Sequence, residues 1–293
     1  GLAKAYTKKG NTKKAIEEYN TALKLDPTNH GAHYKLALLY FNDFLFEESL
    51  KEAQEAVRLD PGNVEYRFFL ASMKDRTKRY EEALKEFELL LQLDPQNPKY
   101  LLPLAGVYHR LGRVEESLRA LKLVEEIDAQ GGYGQIARRL RTEIEEKGQR
   151  QRRLRELERE LGFNPKNPKL YLEIARLYMD SMEPKKAKDR VFEALALDPD
   201  CAECRFLLAK IYDNEGDKNS ALKELEKAVE LDPQRPEYLL SLAGFHYQLG
   251  NISLTINELK RLIELFPESE EANFSKRKLD ELQKTKGEGG DGK

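Results

Sequence analysis

The chain has 293 residues, 50 of them Lys or Arg against 52 Asp or Glu, for a formal net charge of −2. That balance gives bulk charge no grip on nucleic acid or an anionic membrane surface, and 40% hydrophobic residues exclude a disordered chain. Two Cys exclude a disulfide scaffold, four His leave little for a multi-histidine metal site, and the longest apolar stretches, such as residues 34–41, fall short of the ~20 residues that span a bilayer. A charged fraction of 35% with a mean hydropathy of −0.71 predicts a helical chain with a large solvated surface. There is neither an initiator Met nor a signal-peptide pattern, so a chain processed or cut from something longer is expected. A soluble protein follows, with the cytoplasm favoured.

Asp-Pro recurs at Asp26-Pro27, Asp60-Pro61, Asp94-Pro95, Asp198-Pro199 and Asp232-Pro233, with Asn164-Pro165 and Phe266-Pro267 in the same phase. The prolines step by 34 residues except between Pro95 and Pro165, where Ala129 stands at the missing position. Proline lacks the N–H that continues a helix and clashes with the preceding turn, so a regular break punctuates a repeated unit. Two short helices fit between breaks. In the second unit His33, Leu36, Ala37 and Tyr40 share one helical face, and Leu50, Ala53, Ala56 and Val57 share another. Small residues recur where the two helices would cross: Ala37 with Ser49, Ala71 with Ala83, Ala105 with Ser117, Ala175 with Ala187, Ala209 with Ala221, and Ala243 with Thr255. Gly10, Gly112, Gly216 and Gly250 fall at the bend, where a left-handed backbone costs glycine little.

In chain order, residues 1–129 divide into units one to four, the first truncated at its start. Residues 130–163 form an irregular fifth unit, in which Arg141 and Arg153 replace the small crossing residues. A charge cannot enter a tight dry crossing, so a splayed helical hairpin bending near Gly148 is expected, with Ile136, Leu140, Ile144, Leu154, Leu157 and Leu161 as its apolar stripe. The alternative is one long helix linking two arrays. Residues 164–267 hold units six to eight. Residues 268–285 read as a capping helix around Phe274, Leu279 and Leu282, and the Gly-rich 286–293 as a disordered tail. An offset of 138 residues, which carries Phe68 onto Phe206 and Leu102 onto Leu240, suggests a doubled array.

The period and pattern resemble the tetratricopeptide repeat. The seventh unit reads Leu208-Ala209, Tyr212, Gly216, Ala221, Leu225, Ala228 and Pro233, in register with the family's signature residues. Departures are the absence of Trp, and Lys74 and His246 in place of the tyrosine of units three and eight. The resemblance implies an all-α, right-handed α-solenoid of about eight helix-turn-helix units with a C-terminal capping helix. It also implies that first helices line a concave groove that binds peptides. Carried over position by position, the groove residues are Tyr34, Leu38 and Phe41 in unit two, Phe68 and Arg76 in unit three, and Leu102, His109 and Arg110 in unit four. Arg176 follows in unit six, Phe206 and Lys210 in unit seven, and Tyr247 in unit eight. Aromatic anchors among Arg and Lys have the composition of binding hot spots. Equally, Tyr34, Phe68, Leu102 and Phe206 could fill the gaps between adjacent helices. The Lys and Asn clamp with which some family members hold the acidic tail of a heat-shock chaperone is absent: its Asn positions read Leu38, Ser72, Gly106, Thr142, Arg176, Lys210 and Gly244.

Cys201-Ala-Glu-Cys204 is the one motif with a chemical look. Zinc would need two further ligands, and haem attachment a His where Arg205 stands. The pair is therefore expected to fill small-residue positions, with a reversible disulfide as the alternative. The basic run of Arg150, Arg152, Arg153 and Arg155 is followed by Glu156, Glu158 and Glu160 and lacks stacking aromatics, as a solvated helix face would. No phosphate loop, nucleophile elbow, metal helix motif or paired-acid signature is visible. No catalytic residue, metal or cofactor is expected. The expected function is a non-enzymatic scaffold for a peptide or protein segment. The alternatives are a regulatory or assembly fragment of a larger enzyme or membrane-associated complex, and a self-assembling coat protein, hence a homo-oligomer.

Overall fold

The computed structural model describes residues 2–288, with side chains through residue 283. Among them the only regular structure is sixteen helices, grouped into two compact units that divide at Glu146 and Lys147. The first unit holds α1 (Leu2–Lys8), α2 (Thr12–Leu25), α3 (His30–Asn42), α4 (Phe46–Leu59), α5 (Val64–Arg76), α6 (Tyr80–Leu93), α7 (Pro98–Arg110), α8 (Val114–Ile127) and the beginning of α9 (Gly132–Phe163). The second holds the rest of α9, then α10 (Pro168–Asp180), α11 (Pro184–Leu197), α12 (Ala202–Asn214), α13 (Lys218–Leu231), α14 (Pro236–Gln248), α15 (Ile252–Leu265) and α16 (Glu270–Glu288). Each unit is an α-solenoid segment of stacked helix-turn-helix hairpins.

The hairpins are punctuated from both ends. Asn29, Asn63, Asn97 and Asn167 cap α3, α5, α7 and α10, each side chain accepting a first-turn N–H. The second helices end at Asp26, Asp60, Asp94, Asp198 and Asp232, each followed by a proline that offers no N–H to carry the helix on. Within a hairpin the two backbones meet at the small residues. Ala37 and Ser49 are wholly buried, and the Ser49 hydroxyl donates to the Ala37 carbonyl at 2.8 Å. Ser117 repeats this on Ala105, also at 2.8 Å. A buried hydroxyl at a close crossing is thus satisfied by the facing helix.

A second device ties four of the hairpins, those opened by α3, α5, α10 and α12, to the turn before them. Arg67 of α5 donates to Glu86 of α6 and to the Pro61 carbonyl, both at 2.7 Å. Arg205 of α12 does the same toward Glu224 (2.8 Å) and the Pro199 carbonyl (3.2 Å). His33 faces Glu52 and the Pro27 carbonyl, and the Tyr171 hydroxyl donates to the Pro165 carbonyl. Lys74, buried, pairs with Glu86 at 3.0 Å, and His246 is buried within α14.

The irregular region departs from the expected hairpin. α9 is one unbroken helix of 32 residues that runs through Gly148. Glycine costs a helix about 1 kcal/mol relative to Ala, which by itself does not break a helix of this length. The arginines lie outside any crossing and are met by carboxylates: Arg141 by Glu125 (2.7 Å) and Glu145 (3.0 Å), Arg153 by Glu173 (2.8 Å). Arg141, hydrogen-bonded to it, holds the Glu125 carboxyl below its ordinary range. Ile136, expected on the buried stripe, is 44% exposed, and Ala137 takes its place in the core. Leu140 and Ile144 pack with the first unit, Leu154, Leu157 and Leu161 with the second. Among the α16 residues whose side chains are described, Ala272, Ser275 and Leu282 are buried, whereas Phe274 is half-exposed. The predicted tail begins inside α16, and residues 289–293 lie outside the described residues.

Two predictions follow from this packing. Ala209 is 1% exposed at the α12–α13 crossing. Ala209→Leu should cost roughly 1–3 kcal/mol by overpacking, and hydrogen exchange should quicken in α11 to α14 while α3 to α6 keep their protection, because a hairpin touches mainly its neighbours. Uniform quickening along the chain would refute nearest-neighbour stability. At the bends, Phe44, Lys78 and Met182 adopt the positive φ that glycine holds elsewhere. Met182 (φ 59°) is almost fully exposed. Met182→Gly should therefore stabilise the second unit by about 0.5–1 kcal/mol, the left-handed penalty less the entropy of glycine. A loss of stability in urea unfolding would contradict it.

Candidate partner-binding surfaces

In the first unit the candidate residues lie on α3, α5 and α7. They are not equally open. Tyr34 is buried, its ring 4.6 Å from Tyr66 and edge-on to Phe69, its hydroxyl donating to Glu65 at 2.9 Å. Burial first, then the Glu65 carboxylate, push the Tyr34 phenol well above its ordinary value, so it remains a neutral donor. Leu38 and Leu102 are half-buried and pack against the hairpin cores. Phe68 keeps part of its ring exposed, lies 5.7 Å from Tyr100, and has the Lys99 ammonium 4.7 Å above it.

The charged residues divide too. Arg110 makes a bidentate pair with Asp75 at 2.8 and 2.6 Å, folding its guanidinium back over Gly106. Arg76 is exposed and rests on two rings, 5.3 Å from Phe41 and 4.9 Å from Phe46. It has no carboxylate partner among the described residues. His109 is exposed.

In the second unit Phe206 is buried against Tyr238 at 4.5 Å, and the Lys210 ammonium sits 4.1 Å above its ring while pairing with Glu237 at 3.1 Å. Arg176 pairs with Glu203. These side chains, with Met179 and Arg235, line an open cavity of about 320 Å³. Tyr247 is exposed under the Lys278 ammonium, 4.8 Å away, and is not part of that lining.

A regularity emerges that sequence reading did not isolate. Tyr34, Phe68 and Phe206 each meet a tyrosine of the following first helix, Tyr66, Tyr100 and Tyr238. The candidate aromatics are therefore rungs between adjacent hairpins. Tyr34 and Phe206 are covered by that stacking, so neither is an open anchor. The signal for the partner tyrosines lay in the sequence, since Tyr66 and Tyr100 stand 34 residues apart and Tyr238 falls at the 138-residue offset. Phe46, which completes the platform under Arg76, also has its counterpart one period on, Tyr80, over which Arg110 lies at 5.7 Å.

Cys201 and Cys204 are joined as a disulfide. Among the described residues no group of three His, Cys, Asp or Glu side chains is placed to hold a metal ion, and no helix is long and apolar enough to cross a membrane.

A ring buried between hairpins should matter more to stability than a half-exposed one. Phe206→Ala should cost about 3 kcal/mol or more, with faster hydrogen exchange in α12 to α14. Phe68→Ala should cost distinctly less. Equal losses would mean that exposure does not distinguish the two rungs.

Family models match most of the helical array. A model described as TPR repeat matches residues 3–43, and models described as Tetratricopeptide repeat match 34–98, 76–140 and 190–243. Among solved structures, a tetratricopeptide repeat protein from Parabacteroides merdae is 18% identical, covering 79% of this chain and 91% of its own, with a TM-score of 0.49. Yeast Tom70 is 17% identical over 96% of this chain and 61% of its own, with a TM-score of 0.44. A thermophilic TPR protein of Thermus thermophilus is 20% identical over 74% of this chain and 98% of its own, with a TM-score of 0.31. No curated protein matches the chain.

Proposed function

The chain belongs to the tetratricopeptide repeat family, and on that footing we propose that it is a non-catalytic scaffold whose first unit holds a peptide segment along α3, α5 and α7. The observation that carries this reading is Arg76. Its guanidinium is exposed, positioned by Phe41 and Phe46, and unmet by any carboxylate among the described residues, whereas Arg110, Arg176 and Lys210 are each paired. A cation held on an aromatic face has lost conformational freedom before a ligand arrives, which lowers the cost of binding one. The complementary ligand is a segment presenting a carboxylate to Arg76 and an apolar side chain to the open parts of Phe41 and Phe68. Tyr34 contributes to the shape of the surface from below, not by contact.

Crosslinking and pull-down identify the bound segment, and titration calorimetry then compares variants. A charge-assisted hydrogen bond is worth about 1.5–3 kcal/mol, so Arg76→Ala should weaken binding at least about tenfold, and Arg76→Lys less. Tyr247→Ala should leave affinity unchanged. If Arg76→Ala binds as tightly as the parent while its helix content is intact, the segment lies on another face and the assignment to α3, α5 and α7 fails.

A further inference from the structure

Aligned hairpin on hairpin, α12 is the one first helix that carries cysteine at two positions of its first turn. The residue before the helix is Asn in α3, α5, α7 and α10, and its side-chain oxygen accepts a first-turn N–H. In α12 it is Cys201, whose Sγ takes the N–H of Cys204 at 3.1 Å. Three residues on, where α5, α7 and α14 carry Tyr66, Tyr100 and Tyr238 and where α3 and α10 carry Ala32 and Leu170, α12 has Cys204. These are the chain's two cysteines.

The first replacement is not explained by stability. Asn is among the strongest helix caps, and sulfur is a poor acceptor. At the second, Cys204 packs in the core with Leu172, which stands in α10 where α3 and α5 carry Tyr34 and Phe68. The two positions share one property: the cap residue and the third residue of a helix face each other, the arrangement in which side chains bond reciprocally across the first turn. Their Cα atoms are 5.3 Å apart, within the range a disulfide bridges without moving the backbone, and the bond is present. The sulfurs differ in access. Cys201 is partly exposed at the helix end, whereas Cys204 is wholly buried among Leu172, Ala175 and Leu208 of the hairpin core. The first-turn N–H groups favour a negative sulfur at the cap, as at other reactive cysteines.

We propose that Cys201 and Cys204 form a thiol–disulfide exchange site for low-molecular-weight disulfides, with Cys201 as the attacking sulfur and Cys204 as the resolving one. From the dithiol, the Cys201 thiolate attacks one sulfur of the disulfide RSSR, forming a Cys201–SR mixed disulfide and releasing RS⁻. The Cys204 thiolate then attacks the Cys201 sulfur and expels the second RS⁻. Two protein thiols are oxidised, one external disulfide is reduced to two thiols, and the two protons pass to the departing thiolates. The reverse sequence begins with an external thiolate on Cys201, the sulfur it can reach.

The full-length chain is titrated at neutral pH with mixtures of reduced and oxidised glutathione, trapped with iodoacetamide and read by intact mass. Excess oxidised glutathione should give protein with no alkyl label and excess reduced glutathione protein with two, reversibly. Cys204→Ser, which lacks the resolving sulfur, should accumulate a glutathione adduct, and Cys201→Ser at least about tenfold less of it, because its remaining sulfur is buried. The assignment is overturned if the parent chain keeps two alkylatable thiols in excess oxidised glutathione, or if both serine variants take up glutathione equally. Circular dichroism checks helix content, and the titration of the parent chain decides alone if either variant unfolds.

Discussion

The close crossing of two helices within each hairpin is the constraint on which the other contacts depend. Ala37 against Ser49, Ala105 against Ser117 and Ala209 against Ala221 leave no side-chain volume between backbones. Helices that approach this closely fix the direction of every other side chain on them. That is why the outward positions recur with the period of the sequence, and why Arg67 and Arg205, 138 residues apart, make the same two contacts, a glutamate on the second helix and the carbonyl of the preceding proline. The crossing supplies geometry, and the clamp converts it into attachment of one hairpin to the next.

The same logic makes a structural feature of what looks like a binding feature. A residue that points from one first helix toward the next stands both on the exposed face and in the seam between hairpins. Which role prevails depends on the neighbour. A tyrosine opposite Tyr34 and Phe206 closes the seam over them. Opposite Phe68 the tyrosine leaves part of the ring open, with Lys99 above it. An aromatic at a groove position is therefore a ligand anchor only to the extent that the next hairpin fails to cover it.

This explains how much the sequence made legible. The period, the proline breaks, the glycine bends and the small crossing residues are local properties, and they carried the fold. The bends at Phe44, Lys78 and Met182 were invisible, because their left-handed backbone is imposed by the hairpin and not by the residue. α9 was misjudged for a related reason. Gly148 stands in phase with the bends of other units, but phase alone does not end a helix when the arginines at the would-be crossing find carboxylates outside it. Of the candidate surface, the positions were legible and the occupancy was not. The pairing of Arg110 with Asp75 joins residues 35 apart on successive first helices, and no pattern within one repeat announces it.

Charge pairing also sets the kind of recognition these surfaces can support. Asp75 with Arg110, Glu203 with Arg176 and Glu237 with Lys210 neutralise the first helices pair by pair, within a chain whose net charge is only −2. Such a surface projects little long-range field, so it does not gather ligands by sign alone. Discrimination has to come at contact distance, from groups left unpaired and held in place. Exposed ion pairs contribute little to stability, but each one occupies a cation that would otherwise bind acidic segments indiscriminately. Pairing these three cations while Arg76 rests on Phe41 and Phe46, and Lys99 over Phe68, leaves the unpaired charge of the first unit's candidate face beside partly open rings. On the proposed reading, a ligand would have to match that charge and the apolar surface next to it together, which is a stricter demand than either alone.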